Sequence, residues 1–201
     1  IRIPIKALDI FKMYYFVRQA VDAGVVTKPR ALIQAFGACL LGFAGMLRRS
    51  SMAGIKAEDL HIEETTTVVL RFEKGKDKVR RLGIRGFAGK WFKIHKAYLS
   101  QVVGKSPFEE ALQFYGRDWQ NLLLLLLERV DVAAPAGTRY QWHSLRAGGC
   151  TAAYFAGVDT FAIRKHGGWA AEKTLDSYVD FSHSGGKADK YLMHFVQPGS
   201  G

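Results

Sequence analysis

WHSLRAGGCTAAYFAGVDTFAIRKHGGWAAEKTLDSY, residues 142–178, holds four side chains that could act on one phosphate. His143 and Arg146 are three residues apart, so on a helix both project from one face. Trp169 follows the Gly167-Gly168 pair, and Tyr178 lies nine residues beyond it. Arginine offers a planar, permanently charged fork suited to phosphate oxygens. Histidine can move a proton near neutral pH, and a tyrosine hydroxyl can be a nucleophile. Singly, each has a plainer reading: a helix-cap histidine, a weakly ion-paired surface arginine, a core tryptophan. In this order and spacing they point to one site acting on one phosphate.

Outward from that stretch, the patterns are mostly helical. Residues 6–23 carry Ile10, Phe11, Tyr14, Phe16, Val17 and Val21 at helical spacing, closed by Gly24. Thr27-Lys28-Pro29 opens a second helix with proline in its first turn. Ala31–Leu47 is apolar nearly all round, the mark of a buried central helix. Its end delivers Arg48-Arg49, cations at a core edge that a bound phosphate would satisfy. Thr65–Phe72 and Val79–Ile84 read as two strands joined by a Glu73–Asp77 turn. Helices are expected over 87–103, over Arg117–Val132 with its six consecutive leucines, and over Ser144–Phe155, Thr160–Lys165 and Glu172–Val179. Gly185-Gly186 breaks the chain before a last helix near Lys187–Phe195, and Val196–Gly201 reads as a mobile tail. The expected fold class is mainly α with a small antiparallel β-sheet, an α+β single domain spanning 1–201.

Composition narrows the partners. At 201 residues and 48% hydrophobic the chain can bury a real core. The longest uncharged apolar runs, Ala35–Leu47 and Leu122–Leu127, fall short of the ~20 residues of a membrane span. No signal-peptide layout opens the sequence, so a cytoplasmic or nuclear, non-secreted protein is expected. Cys39 and Cys150 lack metal-ligand spacing and read as buried thiols; the scattered histidines give no metal motif. Net charge +11 and a pI near 9.7 suit a polyanion. Seven of those cations fall between Arg71 and Arg85 against two acids, on the predicted hairpin.

The ordered set H-x-x-R, GGW and Tyr at plus nine resembles the catalytic C-terminal domain of tyrosine recombinases, the phage-integrase and Cre-like family. The likeness covers roughly residues 6–182, with 183–201 as a C-terminal tail. It extends upstream to MLRRSSMAGIKAEDL, residues 46–60, where the resemblance makes Arg48 the first catalytic arginine and Arg49 the alternative. Ser51 stands where the family usually has an acid. Lys74 matches the family's hairpin lysine, with Lys76 and Lys78 as competitors. Trp169 occupies a position that is histidine in much of the family and tryptophan in its Cre-like part. The implied catalytic set is therefore Arg48, Lys74, His143, Arg146, Trp169 and Tyr178, with Tyr178 the nucleophile. Arg49, Lys76, Lys78, Arg80, Arg81 and His166 are the expected DNA-facing or flanking residues.

The resemblance implies site-specific recombination of double-stranded DNA through a 3′-phosphotyrosyl intermediate, without metal, nucleotide or other cofactor. It also implies a homo-tetramer on DNA, built by exchange of C-terminal tails, and a mobile-element or phage origin. Family members usually carry an additional N-terminal core-binding domain, and the resemblance implies that residues 1–201 correspond to the catalytic domain alone, that further domain being expected outside them. Two alternatives stay open: a type IB topoisomerase-like relaxase, and a catalytically idle DNA-binding module of the same fold, which Ser51 favours.

Overall fold

The computed structural model describes residues 1–64, 68–74, 77–99, 102–194 and 196. Its organising element is α2 (Pro29–Ala44), in which every residue from Ala31 to Ala44 is buried. Pro29 starts it as expected, because a first-turn residue has no intrahelical N–H bond to lose. The helix ends three residues before the expected Leu47. Gly45 caps it, and Met46 turns the chain with φ +50°. Around α2 pack α1 (Ala7–Asp22), α6 (Glu109–Phe114), α7 (Trp119–Arg129) and α8 (Trp142–Phe155).

Gln34 is the polar pin of this core. Fully buried on α2, it donates from Nε2 to Tyr98 O at 3.1 Å and accepts at Oε1 from Ala111 N at 3.1 Å. Both ends of the amide are thereby satisfied, as burial requires. Tyr98 lies on α5 (Lys96–Leu99), which follows α4 (Gly86–Ile94) after a break at His95. The single helix expected over 87–103 is thus two. The bend brings the Tyr98 carbonyl under Gln34 and leaves Val102 and Val103 exposed. Helix α6 had no sequence expectation, being too short to show a period.

The six leucines sort by face. Leu122, Leu123, Leu126 and Leu127 are buried while Leu124 is 43% exposed, so helical geometry alone decides their fate. Asp118 caps this helix by accepting from Gln120 N at 3.0 Å. Arg117 therefore lies outside the helix, with φ +59°.

The sheet is three-stranded and antiparallel in the order β1 (Leu60–Ile62), β2 (Val68–Lys74), β3 (Asp77–Ile84). Arg71 pairs with Arg81 and Phe72 with Arg80, and a register shift follows before Lys74 pairs with Asp77. The strand expected from Thr65 lies outside the described residues as far as position 67.

Helix α8 begins at Trp142, two residues earlier than expected, which brings His143 into its first turn. Its Gly148 and Gly149 pack backbone to backbone. A Cβ on Gly148 would overlap Ile5 O, and one on Gly149 would overlap Phe43 O at the end of α2. Two small helices follow: α9 (Thr160–Gly167), capped by Asp159, and α10 (Glu172–Asp176). The second stops short of Val179, so Tyr178 sits in the turn after it, its N–H donating to Leu175 O at 2.8 Å. The last helix, α11 (Lys187–Met193), buries Leu192 and Met193 against α1, α4 and α8 of its own chain. Val196, expected in a mobile tail, is 3% exposed; Phe195 and residues 197–201 lie outside the described residues. No helix among the described residues is long and apolar enough to cross a membrane.

Candidate active site

Three elements converge on one point. Arg146, on the second turn of α8, is only 3% exposed and donates from Nη1 to Met46 O in the turn after α2. Its guanidinium carbon lies 3.9 Å from the Trp169 ring centroid and 5.3 Å from that of Tyr178, close enough for cation–π attraction. The Trp169 and Tyr178 rings are 4.9 Å apart, and the His143 and Tyr178 rings 5.1 Å apart. The i, i+3 spacing on α8 thus places His143 and Arg146 against the same tyrosine.

The GGW triplet has a local reason. Gly168 ends α9 in the left-handed region, φ +72°, where a side chain would be strained. Gly167 gives the Trp169 ring its floor: a Cβ there would overlap that ring. The indole is therefore folded back against α9 and 6% exposed, yet its Nε1 has no hydrogen-bond partner among the described residues. A buried unpaired N–H costs about 1–3 kcal/mol, and an anion accepting from it would remove that cost.

His143 is half-buried, and burial is the main cause that pushes its pKa down to about 4. The positive charges of Arg2, Arg146 and Arg48 push in the same direction. At neutral pH the imidazole is therefore uncharged and able to accept a proton.

Of the remaining expected residues, Arg48 and Arg49 stand at the exposed rim of the site, and the other described ones lie on the hairpin and on α9. Arg48 is exposed at the N-cap of α3 (Arg49–Ala53), and Arg49 opens that helix. Arg49 and His143 line an open cleft of about 1090 Å³ between α7 and α8. Lys74 closes β2, while Lys78, Arg80 and Arg81 are carried by β3. Lys76 lies outside the described residues, so the choice between Lys74 and Lys76 rests on the sequence. His166 is turned inward: half-buried, its Nε2 lies 2.8 Å from Ala44 O, tying α9 to the end of α2. Its place is that of a flanking residue rather than an outward-facing one.

Two contributors carry no sequence signal. Thr151 Oγ1 donates to Tyr178 O at 3.3 Å and accepts from Asp180 N at 3.0 Å, clasping the turn that holds the tyrosine to α8. Arg2 is brought near the start of α8 from the other end of the chain by its bridge to Arg139, and only a lone cation in IRIPI marks it in the sequence.

No family model matches the chain, and no curated protein matches it in sequence. Solved structures do. The XerH site-specific recombinase bound to a palindromic difH substrate, in a post-cleavage complex, superposes with TM-score 0.64 at 12% identity over 88% of this chain and 49% of that one. The pre-cleavage complex of XerH with its difH substrate gives TM-score 0.65 at 13% identity, covering 89% and 50%. The fold is that of a tyrosine recombinase catalytic domain. The chain spans about half the length of the solved structures it matches.

Proposed function

We propose that the protein is a site-specific DNA recombinase that cleaves and rejoins strands through a 3′-phosphotyrosyl bond. The observation that carries the reading is the convergence of His143, Arg146 and Trp169 on Tyr178. The shared fold with XerH, itself solved bound to its difH substrate, supports it.

In this reading Tyr178 Oη attacks the scissile phosphorus of double-stranded DNA. One O–P bond forms, the bond to the 5′-oxygen breaks, and the tyrosine proton passes to neutral His143. Lys74 supplies a proton to the departing 5′-oxygen. Charge growing on the non-bridging oxygens is met by Arg146, by Arg48 from the rim and by the unpaired Trp169 N–H. Because the phosphotyrosyl ester keeps the bond energy, a 5′-hydroxyl can reverse the step without ATP. Tryptophan cannot shuttle protons, so acid–base work falls to Lys74 and His143.

The same reading includes four copies assembled on DNA with exchange of C-terminal segments, and a mobile-element or phage origin. The Gly185-Gly186 break before α11 supports the exchange, while in the single chain α11 is seated on its own α1, α4 and α8.

The test is a nicked duplex that loses its 5′-hydroxyl fragment on cleavage, incubated in EDTA and run on a denaturing gel. A covalent adduct that disappears in Tyr178→Phe is the expected result. An adduct persisting in that variant removes Tyr178 from the role. DNA bound without any adduct favours the idle binding module.

A further inference from the structure

Building on the recombinase reading, we propose that Arg2 and Arg139 form a second phosphate clamp beside the one built on Arg146, holding a neighbouring phosphodiester of the bound DNA. The two residues are register partners in a short parallel bridge. Arg139 N donates to Ile1 O at 2.9 Å, and Ile3 N donates to Arg139 O at 3.3 Å. Partners in a ladder carry their side chains on the same face, so the two guanidinium groups share one. Two residues further on, Ile5 N donates to Ser144 O at 3.0 Å, which moors the same ribbon to the residue after His143.

The placement is costly without an anion. Both arginines are exposed, and neither makes an ion pair or a side-chain hydrogen bond among the described residues. Like charges on neighbouring positions repel. Acids stand in the same cleft, Asp118, Glu128 and Asp131, together with Arg139 and Arg49, yet none of them pairs with either arginine. Arg139 lines the same cleft as His143, and the ribbon carrying Arg2 is bonded at Ile5 to Ser144 O, which sets the pair on the His143 side of the site. Arg146 is committed inward to Met46 O, Trp169 and Tyr178. The ribbon pair is exposed and uncommitted among the described residues, the state that suits a solvated phosphate of the DNA backbone.

The test separates this clamp from strand transfer itself. Binding of the full chain to a random-sequence duplex is measured across a salt series, for the unvaried protein and for Arg2→Gln/Arg139→Gln. The variant should bind more weakly, with the slope of log K against log salt reduced in magnitude by about one. In the nicked duplex of the adduct assay, methylphosphonates that neutralise single phosphates next to the scissile one leave the protein untouched and guard against a folding defect. At one such position they should weaken the unvaried protein and leave the variant unchanged. An unchanged salt slope, or equal methylphosphonate losses in both proteins, overturns the clamp. Absence of the Tyr178 adduct in the unvaried protein overturns strand transfer instead, and the salt slopes still decide whether the clamp exists.

Discussion

Arg146 and Arg48 stand at opposite extremes of one site. The first is 3% exposed, laid across two aromatic rings and bonded to the Met46 carbonyl; the second is exposed at a helix cap. The difference extends to the regions they belong to. The inner wall, made of α8, Trp169 and the Tyr178 turn, is fixed by core contacts: glycines against backbone, a ring against Gly167, a threonine clasp. The rim of Arg48, Arg49, Arg2 and Arg139 is solvated and makes no described ion pairs. Groups whose geometry sets a reaction are worth holding rigidly before substrate arrives, since catalysis by fixed dipoles then needs no reorganisation. Groups that gather a polyanion work as mobile cations, and their cost is one of mutual repulsion rather than of packing.

That division is breakable. Arg48→Ala should lower the rate of covalent adduct formation about 10²–10³-fold, the usual loss for one transition-state donor. Its melting temperature should stay within what a surface change of ±0.5 kcal/mol produces. A marked drop in melting temperature would move Arg48 from the rim to the wall. Gly167→Ala should do both kinds of damage. The added methyl meets the Trp169 ring, so adduct formation should fall about 100-fold as the site is displaced. Overpacking should also cost about 1–3 kcal/mol, read as several degrees in thermal melting. Adding Trp169→Phe should return part of the stability, since the smaller ring clears the methyl. Failure of that rescue would mean the wall is not held as described.

The smallest effect sits at the boundary between the regions. Unfolded, the His143 imidazole takes up a proton near its ordinary pKa of about 6.5; folded, it does so only near 4. Above 6.5 both states are neutral and the residue contributes nothing to pH dependence. As pH falls from 6.5 towards 4, the unfolded state gains the proton first, so stability declines, and it levels below 4. The difference in melting temperature between the unvaried protein and His143→Asn should therefore change across that window alone. A flat difference would refute the depressed pKa.

Much of this was legible in the residues. The periods of α1, α2, α7 and α8 announce themselves because each buries a long stripe or a whole circumference. The same-face pairing of His143 and Arg146 follows from helical geometry. Helix α6 and strand β1 were not legible, since six and three residues are too few to show a period. The break at His95 was hidden as well, since the Gln34 bond to the Tyr98 carbonyl that accompanies it is a tertiary contact. The cation count showed a basic hairpin but gave no hint of Arg2, whose place depends on a bridge to residues near the start of α8. Thr151 was equally silent, one threonine in a helix, until the tyrosine turn was seen to hang from it.

The seating of α11 carries a last consequence. Leu192 and Met193 fill a groove between α1, α4 and α8, and burying two such side chains contributes about 3–6 kcal/mol. Any foreign helix entering that groove would have to match those contacts, and an identical α11 from a second copy matches them by construction. Exchange between copies would then be nearly neutral in contact energy and governed by effective concentration. The short connection from Val179 to Gly186 sets that concentration for the chain's own helix. A neighbour could compete only where something else, such as a shared stretch of DNA, holds it at comparable density.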